Sequence, residues 1–139
     1  MPARVRLALL TVAVLATAFQ PLRAENLDHV RLLRETGKCS GCDLSSAQLA
    51  GLISPEADLR NADLNYAVLY KVRLNKAHLD GATLKGANLE GADLTGSSLT
   101  GADLSGANLR GSIGARLGKA TTDATTTCPD GANGPCVAK

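Results

Sequence analysis

Residues 57–111 read ADLRN ADLNY AVLYK VRLNK AHLDG ATLKG ANLEG ADLTG SSLTG ADLSG ANLRG, which is eleven consecutive units of five residues. Leucine stands at the third place of every unit, from Leu59 to Leu109, and nine of the eleven units begin with Ala. Leu44 and Leu49 keep the same register upstream. A repeat this regular has to be explained before any single helix or strand is predicted.

A period of five fits neither a continuous helix nor a continuous strand. On a helix, successive leucines are rotated by about 500° and spread around every face, and on one straight strand they alternate between faces. Within one unit, however, Ala and Leu share a face of an extended segment, and the residue between them points outward. From the unit of Leu79 onward the last residue is Gly, which admits the positive φ of tight turns. We therefore predict a solenoid that turns the same way every five residues.

These A-[DN]-L-x-x units resemble the pentapeptide repeat family over about residues 40–114. The resemblance implies an all-β solenoid, a right-handed quadrilateral β-helix in which four units form one square coil. Leucine then fills the centre of each side, the small residue lies near the corner, and residues 20 apart stack at about 4.8 Å. The implied leucine ladders are 44-64-84-104, 49-69-89-109, 59-79-99 and 74-94.

The composition agrees with a narrow lumen. Hydrophobic residues make up 45% of the 139 residues but aromatic residues only 2%, namely Phe19, Tyr66 and Tyr70. An ordinary core of this size draws much of its buried area from aromatic rings. A square lumen repeated at strand spacing admits Leu and Ala and excludes a ring. We therefore expect a core of leucine and alanine almost alone, with both tyrosines outside it.

The stretch GLISP at residues 51–55 keeps the count of five but exchanges the sizes of its two inward side chains. Leu52 takes the small place and Ser54 takes the leucine place, so total volume is conserved. Because Pro55 lacks an N–H, we expect this side of the solenoid to be looser or looped outward. A functional loop is the alternative, although no catalytic residue stands in it.

Residues 1–24 have the pattern of a secretory signal peptide, with Arg4 and Arg6 before an uncharged run of 13 residues. A bilayer crossing needs about 20 apolar residues, which disfavours a membrane anchor. Cleavage is placed after Ala24, with Ala18 as the competing site. We expect an exported protein, periplasmic or extracellular, with no membrane span after signal removal. Removal of the signal peptide lowers the number of Lys and Arg residues from 15 to 12, against 13 Asp and Glu residues. The mature protein therefore has no excess of positive charge that would attract nucleic acid.

The two ends of a solenoid expose its core and need caps. Leu27, Val30 and Leu33 recur at helical spacing ahead of Gly37, which predicts a helix from Leu27 to Thr36 over the first coil. The predicted organisation is a signal peptide at 1–24, an N-terminal capping helix at 25–38, the β-helix at 39–114, and a polar tail with a disulfide loop at 115–139.

Four cysteines, Cys39, Cys42, Cys128 and Cys136, stand near the two ends of the repeats. Export implies an oxidising compartment, and short loops close easily, which favours Cys39–Cys42 and Cys128–Cys136 disulfides. Cys39 occupies the leucine register and Cys42 the alanine register, so both should point inward. Free buried thiols and thiol-disulfide exchange through CSGC are the alternatives. A zinc site is disfavoured because the column separates the two pairs.

One group of outward residues departs from the repeat consensus. Tyr66, Val68, Tyr70 and Arg73 lie in units whose final glycine is replaced. Aromatic and Arg side chains are enriched where proteins bind partners, which makes these four residues, the tyrosine patch, a candidate interaction surface. The alternative is two tyrosines lying along an ordinary surface.

No catalytic triad, carboxylate pair, phosphate loop or metal cluster stands out, and the outward Asp residues follow from the A-[DN]-L consensus. We therefore expect no enzyme, no cofactor and no metal.

The predicted function is a non-catalytic secreted structural or protein-interaction module whose partner is an unidentified protein or envelope component. Thiol-disulfide exchange at 39–42 is the alternative. A DNA-mimic topoisomerase inhibitor, as among some cytosolic members, fits less well because mimicry needs a long acidic rod. A monomer is favoured, with dimerisation through an end or the tyrosine face as the alternative.

Overall fold

The computed structural model describes residues 24–136. The predicted signal peptide lies outside these residues apart from Ala24, the first residue of helix α1 (Ala24–Thr36). A 3-10 helix spans Leu117–Lys119. Between these two helices, the described chain is held by isolated parallel β-bridges instead of longer strands. Within residues 24–136, no helix has the length and apolar character that crossing a bilayer requires.

The bridges join residues 20 apart, beginning with Lys38 and Asp58 and continuing to Asp93 and Ile113. With five residues to a side, each coil has four sides and the chain forms a square column. We name the sides by their outward residues: side A carries Lys38, Asp58, His78 and Ser98; side B carries Asp43, Asp63, Thr83 and Asp103; side C carries Gln48, Val68, Asn88 and Asn108; side D carries Ile53, Arg73, Asp93 and Ile113.

The predicted leucine ladders are confirmed. No leucine at the leucine place of a unit is more than 2% exposed, whereas Tyr66 is 69% and Tyr70 38% exposed. The small residues at the corners, such as Ala82 and Ala102, are equally buried. The lumen is thus filled by Leu and Ala, and the rings lie outside it.

Backbone hydrogen bonds run along the column axis. On side B, the N–H of Asp63 donates to Cys42 O in the coil before it (2.9 Å), and the N–H of Leu64 donates to Thr83 O in the coil after it (2.7 Å). At the next corner the N–H of Tyr66 donates to Lys85 O (2.8 Å). In the repeats of the described chain, the N–H of the residue after each leucine enters no backbone bond.

Where the outward residue is Asp or Asn, its side-chain oxygen accepts this remaining N–H. The Asn65 N–H donates to Asp63 Oδ1 at 3.0 Å, and the Thr95 N–H donates to Asp93 Oδ1 at 3.0 Å. Such Asx turns satisfy the corner of the coil locally. The preference for Asp or Asn in A-[DN]-L therefore has a structural cause that involves no ligand.

The expectation that Pro55 loosens side D is wrong. Ile53 forms a bridge with Arg73, and the N–H of Ser54 donates to Arg73 O at 2.9 Å. Pro55 stands directly after the leucine place, where the N–H has no partner in the ladder, so proline removes no backbone hydrogen bond. The side chain of Ile53, at the outward place, cannot accept a hydrogen bond, and Pro55 has no N–H that would require such an acceptor. Leu52 and Ser54 are each only 8% exposed, which agrees with the volume exchange inferred above.

Helix α1 lies against the first coil. Leu33 is 1% exposed and belongs to the core cluster. The Asn26 amide donates to Asp43 O (3.3 Å) and Ser45 O (3.0 Å), and the Arg34 guanidinium donates to Gln48 O (3.1 Å). The N–H of Asp43 donates to His29 Nδ1 at 3.1 Å. These are the backbone groups of the first coil that point away from the second.

The column continues past residue 114, where the predicted β-helix ended. Asp103 forms a bridge with Thr121, and Asn108 forms one with Thr127. Thr126, fully buried, takes the small place, and Cys128, 8% exposed, takes the leucine place. These bridges join residues 18 and 19 apart instead of 20, so the pentapeptide pattern breaks while the ladder persists. The chain then returns antiparallel, with a bridge between Thr127 and Asn133.

Candidate functional site

Three residues of the tyrosine patch form one row across side C of the second coil. Tyr66 occupies the corner before this side, Val68 its outward place, and Tyr70 the corner after it. Arg73 is exposed but stands at the outward place of side D, around the next corner. The structure therefore brings the two tyrosines and Val68 onto one face and places Arg73 on the neighbouring face.

Every corner of the second coil uses a non-glycine residue in the left-handed region. Their φ values are 56° at Asn61, 59° at Tyr66, 52° at Lys71 and 58° at Lys76. An L-residue in this conformation costs about 1–2 kcal/mol, which glycine avoids. The corresponding corners of the third coil are all glycines with positive φ, at positions 81, 86, 91 and 96.

Each of these corner side chains is laid over the glycine that follows it by 20 residues. A methyl group at Gly86 would lie 2.6 Å from Cε1 of Tyr66, and one at Gly91 would lie 3.2 Å from Cγ of Lys71. Glycine in the third coil therefore makes room for the side chain of the second. Sequence analysis missed this pairing; its signal is the 20-residue spacing between a non-glycine corner and a glycine.

The rim of the patch is basic. Lys71 Nζ lies 5.0 Å from the centroid of the Tyr70 ring, a cation–π contact. Within residues 24–136, the ion pairs join Arg31 to Glu35, Arg60 to Asp58 and Lys85 to Asp103, and none involves Lys71 or Arg73. Lys71 therefore places a positive charge at the edge of the patch, whereas the charge of Arg73 acts on Asp93 on side D.

The cysteines form two local disulfides, Cys39–Cys42 and Cys128–Cys136. Cys39 is 1% and Cys42 5% exposed, beneath helix α1, with Cys39 Sγ 3.4 Å from His29 O. Exchange requires a thiolate to reach one sulfur of the disulfide. The first pair is covered on the solvent side, a geometry suited to packing and not to exchange.

The perturbed carboxylates serve the corners of the coils. The Arg60 guanidinium, hydrogen-bonded to Asp58, lowers the pKa of that carboxyl to about 2. The Thr125 hydroxyl does the same for the pKa of Asp123, also to about 2. Among residues 24–136, no three His, Cys, Asp or Glu side chains converge to hold a metal ion. A general acid requires a raised pKa, and these shifts run the opposite way.

Acidification is expected to destabilise the column between about pH 4 and pH 2. Because the folded-state pKa values of Asp58 and Asp123 are depressed, their contribution is complete above their unfolded pKa and is lost as the pH falls through the folded value. Urea midpoints measured across this range should fall. Asp58→Asn should reduce this pH dependence, and an unchanged dependence in that variant would contradict the assigned role.

A second candidate site lies at the C-terminal end of the column. A cavity of about 870 Å³ separates the last rung of side A from the 3-10 helix and the Cys128–Cys136 loop. Its lining includes Ser97 and Leu99 on one side and Leu117 and Pro129 on the other. Apart from the cysteines, sequence analysis predicted none of these residues as part of a site.

Comparisons with known proteins agree with the four-sided column. The family model for pentapeptide repeats matches residues 42–81 and 77–113, in 8 copies. A comparison with curated protein sequences found no match.

Several solved structures are similar. Rfr23, a pentapeptide repeat protein from the cyanobacterium Cyanothece 51142, is 25% identical, with 73% of this chain and 98% of that chain covered and a TM-score of 0.49. HetL of Nostoc sp. strain PCC 7120, involved in heterocyst differentiation regulation, is 34% identical, with 69% and 55% covered and a TM-score of 0.38. QnrB1, a plasmid-mediated fluoroquinolone resistance protein, is 18% identical, with 64% and 51% covered and a TM-score of 0.45. The chain thus spans about half the length of HetL and QnrB1.

The family fold is a right-handed quadrilateral β-helix, and the 20-residue coils of this chain have its four-sided form. Since the family model covers more than half of the 139 residues, the chain belongs to the pentapeptide repeat family.

Proposed function

We propose that the chain is an exported, non-catalytic interaction module that acts in the periplasm or outside the cell. In this proposal the tyrosine patch docks a protein or another component of the cell envelope. The observation that carries the proposal is the conformation of Tyr66, which is held at a positive φ and laid over Gly86 while remaining 69% exposed.

Backbone strain without a stabilising purpose is expected to disappear in favour of glycine, the residue this repeat uses at most later corners. Tyr66 instead keeps a large ring at the surface, packed over Gly86. A ring that already packs against the backbone loses less side-chain entropy on docking than a freely rotating one, which favours affinity. Tyrosine and arginine are also the residue types that dominate binding energy at protein interfaces.

The structure of the two ends of the column favours a monomer. We propose that helix α1 is its N-terminal cap, because Asn26, His29 and Arg34 bind the outward backbone groups of the first coil. The antiparallel return at Asn133 covers part of the other end. Ends whose backbone groups are already hydrogen-bonded oppose edge-to-edge association. This favours a monomer that binds partners through its sides.

The test is capture of partners from envelope extract by immobilised mature protein. A Tyr66→Ala/Tyr70→Ala double variant should lose the partner that the wild type retains, with affinity for the identified partner lowered by about 30-fold. Ile113→Ala is the control, because this exposed apolar side chain lies on side D two coils beyond Arg73, outside the patch.

Equal capture by the wild type and the tyrosine variant would exclude the patch as the docking surface. Mass determination of the protein recovered from outside the cytoplasm tests export, since cleavage after Ala24 leaves Glu25 as the first residue. An intact N-terminus on that protein would contradict processing at this site.

A further inference from the structure

We call each bridged segment of a side a rung, and the column lacks one rung on side A. Lys38, Asp58, His78 and Ser98 stack on this side, and the 20-residue count places the next rung at residue 118. The chain instead crosses as the 3-10 helix Leu117–Lys119 and forms no bridge with Ser98. Only 18 residues separate Asp103 from its partner Thr121, two fewer than a full coil contains.

The missing rung leaves one donor and one acceptor of the backbone open. On side B, Ala102 O accepts the N–H of Thr121 (2.8 Å), and the N–H of Leu104 donates to Thr121 O (2.8 Å). The equivalent pair on side A is Ser97 O and the N–H of Leu99. Among the residues that the structure describes, neither has a hydrogen-bond partner.

On side C, as on side B, the rung after the last full coil is present. Ala107 O accepts the N–H of Thr127 (2.9 Å), and the N–H of Leu109 donates to Thr127 O (2.8 Å). Two sides of the last full coil thus carry a further rung, while side A carries the cavity of about 870 Å³ in its place. Ser97 and Leu99 both line that cavity.

The walls of the cavity are mostly apolar, and its charged lining residues are Arg116, Lys119 and Asp130. Leu117, 7% exposed, and Cys128, 8% exposed and disulfide-bonded, face the opening together with Pro129. Arg116 and Lys119 are exposed lining residues, and neither forms an ion pair within residues 24–136. The two basic residues outnumber Asp130, so the lining has a net positive charge that complements an acidic ligand.

We propose that this cavity binds an extended acidic peptide segment of another protein, which supplies the missing rung of side A by β-augmentation. One residue of the peptide donates its N–H to Ser97 O and accepts the N–H of Leu99 at its own carbonyl, as Thr121 does on side B. A neighbouring apolar side chain packs on Leu117, and acidic side chains pair with Arg116 and Lys119. Backbone bonds at a sheet edge, with pockets for alternate side chains, are an established way to recognise peptides. This site is separate from the tyrosine patch and does not depend on it.

The test is a titration of isotope-labelled mature protein with the peptide Ac-Gly-Ala-Asp-Leu-Glu-Gly-NH2, followed by NMR. Saturable shifts should centre on Ser97, Leu99 and Lys119, and exchange of the Leu99 amide should slow about tenfold. A peptide N-methylated at its Asp amide cannot donate to Ser97 O and should bind about fivefold more weakly. Arg116→Glu/Lys119→Glu should weaken binding of the acidic peptide by a similar factor.

Lys38→Glu, at the opposite end of side A, is the control and should leave peptide binding unchanged. Tyr66→Ala/Tyr70→Ala should also bind the peptide normally, which separates this site from the patch. Three results would overturn the proposal: no saturable shift at Leu99 with millimolar peptide, equal binding of the N-methylated peptide, or shifts confined to the tyrosine patch.

Discussion

Leu84→Lys is expected to abolish folding of the column. Leu84 is fully buried in the ladder between Leu64 and Leu104, and the lumen around it consists of Leu and Ala. An unpaired ammonium placed there costs several kcal/mol, against a total stability of about 5–15 kcal/mol for a typical domain. Because each coil is stabilised by its neighbours, a break in the third coil also removes support from the coils beside it.

Circular dichroism and size-exclusion chromatography of three variants check this prediction. Leu84→Lys should be unfolded, and Leu84→Ala should remain folded with a loss of about 2–5 kcal/mol. Thr83→Lys is the matched control, because the adjacent side chain points outward between Asp63 and Asp103 on side B; its effect should stay within about 0.5 kcal/mol. A folded Leu84→Lys with a normal melting temperature would contradict the inward direction of Leu84.

Gly114→Ala is expected to cause the second-largest loss, about 3 kcal/mol or more. Gly114 stands where the chain leaves the regular repeat, at a φ of 70°. A methyl group there would lie 2.4 Å from Cα and 2.7 Å from N of Thr95. These are backbone atoms of the third coil, so they cannot move aside as a flexible side chain can, and the clash adds to the cost of a positive φ.

Gly101→Ala isolates the contribution of backbone conformation. Gly101 has the same φ of 70°, but a methyl group there would meet nothing within 4 Å. Its replacement should cost about 1 kcal/mol. Urea denaturation should show a clearly lower midpoint for Gly114→Ala than for Gly101→Ala at similar slopes. Equal losses would mean that the contact with Thr95 is relieved elsewhere in the chain.

The leucine ladders could be predicted from the sequence because a period of five leaves one geometry that buries every leucine. Leu44 and Leu104, 60 residues apart, were placed on the same side by counting alone, and both are fully buried. The same counting placed Tyr66 and Tyr70 outside the lumen. A strict repeat converts position in the chain directly into position in space.

Counting fails where the number of residues per coil changes. Thr126 and Cys128 lie in the small and leucine places, but the bridge of Thr127, which stands between them, joins it to Asn108, 19 residues away instead of 20. The cavity beside Leu99 has the same origin, since the chain is two residues short on side A. Pro55 misled the prediction for another reason: the effect of a missing N–H depends on whether that N–H has a partner, which only the hydrogen-bond pattern reveals.

The antiparallel return from Thr127 to Asn133 bears on why the molecule has a finite length. A stack of parallel rungs at about 4.8 Å has the geometry of a cross-β fibril, which grows because each terminal layer templates the next. On side C, the last rung is already paired with a strand of opposite direction, and at the other end Asn26 and Arg34 occupy the carbonyl groups that a new layer would use. At both ends, therefore, backbone groups that an added layer would pair with are already hydrogen-bonded, and side A at the C-terminal end is the exception.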